Sequence, residues 1–310
     1  MNELLHLPNN IKIHFAGHEQ FYFAVFCAKI GIKYGLFSSY PGLCGMLGIA
    51  THPQYIKSNN PWSRNIPKFN EITFKHSIMD SGIFTLAYSR EVSNRGIKIN
   101  YDSWQDAFVD YIQKHNFNGT IVEVDCQSLT TSEYAWKLRK RLRTQLPNHR
   151  IINVFHLEDG KKGLDKLIDF SDYIAFASTE LTLKRPQDCV KMIPRLIEYT
   201  KNKKDDIDIH ILGCTNINIL RACRYCTSCD STSYLASMKF GTVLSKQLRD
   251  IPERLRREYL KKYRSIVYDT LKENKDSHAL TQRQLMYWTE FCAYTKMFQQ
   301  RYEVIAGDQS

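Results

Sequence analysis

Eight short runs of apolar and β-branched residues recur along the chain, and stretches with helical periodicity separate them. Strands that alternate with helices predict a parallel sheet, and eight of them predict a sheet that closes on itself. The sequence therefore predicts the α/β class and a (β/α)8 TIM barrel. An open doubly wound sheet is the alternative, although no Gly-x-Gly-x-x-Gly turn follows the first run. The runs cover residues 11–17, 34–38, 74–80, 120–125, 150–156, 173–178, 207–213 and 227–230.

The pattern becomes wholly helical after about residue 240. We expect a barrel domain over 1–241 and a helical extension over 242–310 that packs on the barrel. Two long helices are predicted in the extension, over 244–270 and 281–302. With 310 residues, of which 43% are hydrophobic, the chain is long enough to bury one large core.

The charge balance favours a polyanionic partner. Lys and Arg number 43 against 32 Asp and Glu, which gives a formal net charge of +11. Such a surface attracts nucleic acid through counterion release, whereas a solvated basic surface without a partner is the alternative. Two segments, 137–143 and 254–264, carry clustered basic residues. The first is expected on the solvated outer wall of the barrel, and the second is the better candidate for phosphate contacts.

The nine cysteines are odd in number and scattered, which indicates reduced thiols rather than a secreted disulfide framework. The sequence shows neither a signal-peptide pattern nor an apolar run long enough to span a membrane. We therefore expect a cytoplasmic protein, in the host cytoplasm if it is viral, with no membrane partner.

A cysteine cluster is the only hint of metal in the sequence. Its members are Cys214, Cys223, Cys226 and Cys229. Side chains three residues apart on a strand point to opposite faces, which disfavours a shared zinc ion at the last two positions. The sequence predicts no metal and no cofactor, with zinc on these four residues as the weaker alternative.

Polar residues stand at the carboxyl ends of the predicted strands, where barrel enzymes build their active sites. Helix capping is the structural alternative for each of them. His18 and Glu19, after the first strand, are further candidates for a substrate contact or a cap. The strand-end set comprises Asp80, Asp125, His156, Ser178, Glu180, Gly213 and Asp230.

Three short motifs are similar to those of one enzyme family. The segment Asp80-Ser81-Gly82-Ile83-Phe84 resembles the Asp-Ser-Gly-Gly signature of the tRNA-guanine transglycosylase superfamily, and Val122-Glu123-Val124-Asp125 resembles its next strand. The segment from Asp230 to Tyr234, with Lys239-Phe240-Gly241, is closest to the phage-type DNA 7-deazaguanine transglycosylases, which are related to queuosine enzymes. The resemblance runs in order through residues 11–241.

The resemblance implies a glycosyltransferase of the pentosyltransferase type, which would exchange guanine in DNA for a free 7-deazaguanine base. Asp230 would be the nucleophile that forms the covalent intermediate, and Asp80 is the second residue expected to be catalytic. The residues expected to bind substrate are Ser81, Gly82, Asp125, His156, Ser178, Glu180 and Gly213.

Other functions remain open at this point. The transglycosylase could act on tRNA instead of DNA, and a non-catalytic relative could keep the barrel and bind nucleic acid without turnover. A polysaccharide glycosidase is less favoured because the chain is basic and has few Trp residues. The sequence leaves the oligomeric state, the inserted base and the target context undetermined.

Overall fold

The eight predicted strands are confirmed. The computed structural model describes residues 11–18, 21–49, 72–88, 99–177, 189–214, 216–223, 225–235, 253–273 and 281–302. The strands are short, three to five residues each, and lie within one or two residues of most predicted runs. They are β1 (Lys12–Ala16), β2 (Tyr34–Ser38), β3 (His76–Asp80), β4 (Thr120–Val122), β5 (Ile151–Phe155), β6 (Tyr173–Ala177), β7 (Asp208–Leu212) and β8 (Ser228–Ser231).

The sheet closes into a parallel barrel with strand order β1 to β8. Each strand pairs with the next, and β8 returns to β1 with His14 opposite Asp230. The predicted (β/α)8 barrel is therefore confirmed, and the open sheet is excluded. Closure brings all eight carboxyl ends to one rim.

Helices follow the strands around the barrel, as predicted. Asn100 and Thr131 cap two of them by accepting hydrogen bonds from backbone N–H groups of the first turn. The helices are α1 (Phe21–Lys29), α2 (Tyr40–Met46), α3 (Ile83–Tyr88), α4 (Tyr101–Lys114), α5 (Ser132–Gln145), α6 (Gly160–Phe170), α7 (Cys189–Lys203), α8 (Ile217–Ala222), α9 (Glu253–Glu273) and α10 (Gln282–Tyr302).

Side chains alternate between the barrel interior and the helical layer, as the pleat of a strand requires. The outward residues pack against the helices in two large clusters, one around Phe26 and Ile209 and one around Phe108 and Ile121. The inward residues form a third cluster, to which β1–β6 each contribute. Its members are Ala16, Leu36, Ile78, Val122, Ile152, Val154, Tyr173 and Ala175.

One ion pair is buried between the barrel and α5. The guanidinium of Arg139 donates to both carboxylate oxygens of Glu123 at 2.7 Å, and both side chains are almost fully buried. Asn153 and the backbone N–H of Val154 complete the acceptor capacity of Glu123. Arg139 thus corrects the expectation that the basic segment 137–143 is a solvated face.

The two last helices pack on the barrel beside α1. Phe291 and Phe298 of α10 contact Phe23 and Tyr234, and Lys29 of α1 pairs with Glu273 of α9. The predicted boundary at 241/242 lies outside the described residues, so the division into two units stays a prediction. None of the described helices combines the length and the apolar character that crossing a bilayer would require.

Candidate functional site

Asp230 stands at the end of β8 and faces the barrel mouth, because its register partner His14 is an inward residue. Its Oδ1 accepts two hydrogen bonds, from the backbone N–H of Gly213 at 2.9 Å and from Nε2 of His210 at 3.1 Å. Its side chain keeps 14% exposure. Within the described residues Oδ2 accepts no hydrogen bond, so one oxygen is anchored and the other is available to a substrate.

Asp125 forms a second carboxylate–histidine couple on the opposite side of the mouth. Nε2 of His156 lies 2.7 Å from Oδ1 of Asp125. The histidine side chain is 6% exposed and the carboxylate 26% exposed, so Asp125 is the member of the couple that meets the mouth. Both residues were predicted to bind substrate, and the structure places them together at the rim.

Asp80 contributes a third carboxylate to the same rim. It ends β3 and follows Ile78 by two residues, so the alternation places it on the inward face. Asp125 follows β4 and Asp230 lies in β8, so the strand order of the barrel places these two carboxylates on opposite sides of the mouth.

Ser81 and Gly82 do not line the mouth, which corrects two predicted substrate contacts. Ser81 is buried and its hydroxyl donates to the backbone carbonyl of Glu123 at 2.8 Å. Gly82 has φ +78°, and a Cβ there would meet the backbone of Tyr40 at 2.8–2.9 Å. The Asp-Ser-Gly segment is thus explained by packing, because it joins β3 to α2 and β4.

Gly213 belongs to the site through its backbone. Its φ of +63° is the left-handed conformation that favours glycine, and it turns the N–H toward Asp230 after β7 ends. The other two predicted contacts of this rim, Ser178 and Glu180, lie outside the described residues.

His18 is a core residue in the structure. Its ring is fully buried and stacks on Phe74 at a centroid distance of 4.9 Å, and burial lowers the pKa of His18 to about 3. Neither ring nitrogen has a hydrogen-bond partner among the described residues. Glu19, the other candidate at this position, lies outside the described residues.

The cysteine cluster is buried and apolar. Burial raises the pKa of the Cys223 thiol to about 12 and holds those of Cys226 and Cys229 well above the ordinary value. Cys214 is buried beside them. Among the described residues, no group of three or more His, Cys, Asp or Glu side chains is arranged to hold a metal ion. The absence of a metal and of a cofactor stays a prediction.

Sequence reasoning missed the polar groups inside the barrel. His210 supports Asp230 from β7, and Ser228 and Tyr173 lie beneath it. His14 and His76 contact each other across the barrel at 2.8 Å between ring nitrogens. The alternation of side chains along a strand could have identified these residues, because each falls on an inward position of a strand whose other residues are mostly apolar.

A groove on the outer wall lies between α5 and α6 and has a volume of about 840 Å³. It carries four lysines, of which Lys140, Lys162 and Lys166 form no ion pair among the described residues. Two acids, Glu133 and Asp159, stand at its upper end. The groove is lined by Ser132, Glu133, Trp136, Lys137, Lys140, Asp159, Lys162, Gly163 and Lys166.

Solved structures resemble this chain in fold. "QR15, an Aldolase" is 10% identical with a TM-score of 0.40, over 75% of this chain and 92% of that one. A provisionally named lyase/mutase from Burkholderia cenocepacia J2315 is 11% identical with a TM-score of 0.42, over 76% and 81%. An oxaloacetate acetylhydrolase is 10% identical with a TM-score of 0.40, over 79% and 87%. No family model and no curated protein matches the chain.

The predicted base-exchanging transglycosylase and its role in DNA modification are corrected at this point. The neighbours carry the names of an aldolase, a lyase/mutase and an acetylhydrolase rather than of a transglycosylase, and no family model matches the chain. The physical reason for the error is that Ser81 and Gly82 of the most specific motif serve packing.

Proposed function

We propose that this chain is a lyase-type enzyme that performs acid–base chemistry on a compact, N–H-rich or cationic substrate at the barrel mouth. The observation that carries the proposal is the anchoring of Asp230, whose Oδ1 holds two hydrogen bonds while Oδ2 holds none within the described residues. A carboxylate presented in this way is suited to act as a general base.

The acid of the reaction is the Asp125–His156 couple. The two groups share a short hydrogen bond and stand across the mouth from Asp230. Oδ2 of Asp230 removes a proton from the substrate, the electron pair left behind expels a leaving group on the far side, and the couple gives that group a proton. Proton exchange with water then restores both residues.

The charge of the mouth indicates the class of substrate. Three carboxylates, Asp80, Asp125 and Asp230, stand at the carboxyl ends of β3, β4 and β8, and the partners of Asp125 and Asp230 among the described residues include histidines but no Lys or Arg. Ionised carboxylates are hydrogen-bond acceptors only, so they match amino, amidino or heterocyclic N–H donors. The limited exposure of Asp230 favours a substrate proton over bulk water as its target.

The experiment is a turnover screen in D₂O with amines and amidines that carry an acidic C–H bond beside a leaving group. NMR reads both deuterium uptake and cleavage. We expect Asp230→Asn to slow turnover by about 100-fold or more, the usual loss for a general base. Asp172→Asn, a highly exposed carboxylate at the opposite end of the barrel, is the matched control and keeps the parent rate.

Two outcomes would reject the proposal. Parent-like turnover by Asp230→Asn removes Asp230 as the base. Turnover of neutral or anionic isosteres in preference to the amines and amidines shows that the substrate class is wrong.

A further inference from the structure

The barrel interior beneath Asp230 is polar, although such interiors are usually filled by bulky branched side chains. Nδ1 of His210 lies 2.5 Å from the Ser228 hydroxyl, and the same hydroxyl lies 2.5 Å from the Tyr173 hydroxyl. All three side chains are buried. Together with Asp230 they form a continuous hydrogen-bonded chain of four residues from the mouth into the core.

The proton positions in this chain follow from the chemistry of its ends. An ionised Asp230 can only accept, so Nε2 of His210 donates to it, and Nδ1 of neutral His210 is then an acceptor. Ser228 donates to Nδ1, and its oxygen accepts from Tyr173. Burial raises the pKa of Tyr173 to about 12, so the phenol keeps the proton that it donates. Every donor therefore points toward the carboxylate.

We infer that Tyr173 and Ser228 are positioning residues that hold His210 with its proton on Nε2, directed at the anchored oxygen of Asp230. The naming of Asp230 as the base rests on the proposed function, whereas the hydrogen-bond chain does not. Hydrogen bonds that align in one direction polarise each other, so the chain strengthens the hydrogen bond from His210 to Asp230.

Two neighbours of Asp230 among the described residues are neutral. Burial holds the pKa of His14 well below its ordinary value, so the ring opposite Asp230 in β1 is uncharged. Burial likewise keeps the neighbouring Cys229 thiol protonated. Gly213 contributes its backbone N–H, which a side-chain substitution does not remove. The chain from Tyr173 is therefore the support of Asp230 that a mutation can interrupt.

NMR tests the inference without a substrate. In protein labelled with ¹⁵N-histidine, the nitrogen shifts of His210 report its tautomer, and we expect the proton on Nε2. The same nitrogen shifts then follow the tautomer in the variants. Ser228→Ala should move part of the proton from Nε2 to Nδ1, Tyr173→Phe should move less of it, and Ser228→Thr should restore the parent tautomer.

A proton on Nδ1 of His210 in the parent protein, or an unchanged tautomer in both Ser228→Ala and Tyr173→Phe, overturns the inference. Two variants guard against misfolding, because Tyr173→Phe keeps the ring and Ser228→Thr keeps the hydroxyl. If the tautomer behaves as expected but the turnover screen fails, the proposed function is wrong and the chain stands. If turnover depends on Asp230 while the tautomer does not move in the variants, only the chain is wrong.

Discussion

The buried Glu123–Arg139 pair is the point where a single substitution should do most damage to the fold. The carboxylate of Glu123 accepts four hydrogen bonds: two from Arg139 at 2.7 Å, one from Asn153 at 2.5 Å and one from the backbone of Val154 at 2.8 Å. Glu123→Gln removes the charge and turns an amide NH₂ toward these donors. It leaves the guanidinium of Arg139 buried without a counter-charge.

The magnitude follows from that uncompensated charge. Breaking a buried pair by removing one partner typically costs about 3–5 kcal/mol, against a total unfolding free energy of about 5–15 kcal/mol for a domain. We therefore expect Glu123→Gln to lose at least about a fifth of the stability of the protein. Arg139→Met should lower the free energy of unfolding by a similar amount, because it leaves the carboxylate of Glu123 buried without a counter-charge.

Urea unfolding, followed by circular dichroism, measures these losses. The double variant with Glu123→Gln and Arg139→Met should lose clearly less than the sum of the single variants, because neither charge is left alone. Asp172→Asn is the control. Its ion pair with Lys204 is largely exposed and should be worth less than about 1 kcal/mol.

Two results would refute this reasoning. One is a Glu123→Gln protein whose unfolding free energy lies within about 1 kcal/mol of the parent. The other is strict additivity in the double variant. The pair also bears on the site, because Glu123 precedes Asp125 by two residues and Val154 precedes His156 by two. A stable Glu123→Gln protein with normal turnover would show that the pair does not hold the second couple in place.

Three further predictions concern other features. Gly82→Ala should lower the free energy of unfolding by about 1–3 kcal/mol because Gly82 has a positive φ. Gly45→Ala, in a helix with open space around it, should leave the free energy of unfolding unchanged or raise it in the same urea experiment. Burial lowers the pKa of His18 to about 3 in the folded protein, whereas the unfolded chain takes up the proton near pH 6.5. The contribution of His18 to the free energy of unfolding is therefore complete above about pH 6.5 and is lost as the pH falls toward 3. His18→Phe should reduce this loss, and an unchanged pH dependence of the free energy of unfolding on the acid side contradicts the prediction. Nucleic-acid binding, predicted for the segment 254–264, stays a prediction, and the α5–α6 groove is a second candidate that the structure adds. Lys140→Glu with Lys162→Glu should weaken binding of labelled DNA and of RNA and reduce its salt dependence in anisotropy titrations, and equal binding by parent and variant rejects the groove.

The barrel was predictable because its signals are local and repeated. Each strand is a short apolar run between helix patterns, and β2 from Tyr34 to Ser38 matches its predicted run at both ends. The ends of β4 were not predictable in the same way. The predicted run continues to Asp125, but β4 ends at Val122, and Glu123 directly after it pairs with Arg139 on α5. That contact depends on tertiary packing.

The candidate site was predictable only in part, for a related reason. Asp80, Asp125, His156 and Asp230 were identified because carboxyl ends of parallel strands meet at one rim. Their partners lie in neighbouring strands at distances that depend on barrel register, so His210 could not be assigned to Asp230 before β7 and β8 were aligned. The short motifs misled for the opposite reason, because Ser81 and Gly82 have the expected residue types but serve the core.

In the proposed reaction the two couples differ in their surroundings. Both consist of a carboxylate with one oxygen held by a histidine of the adjacent strand. Asp230 receives an additional backbone N–H, and its histidine also contacts the buried hydroxyl of Ser228. Asp125 is more exposed and shares its short hydrogen bond at the rim. A single site divides acid from base work between titratable groups in unequal environments, and this difference supports Asp230 as the proposed base and the Asp125–His156 couple as the proposed acid.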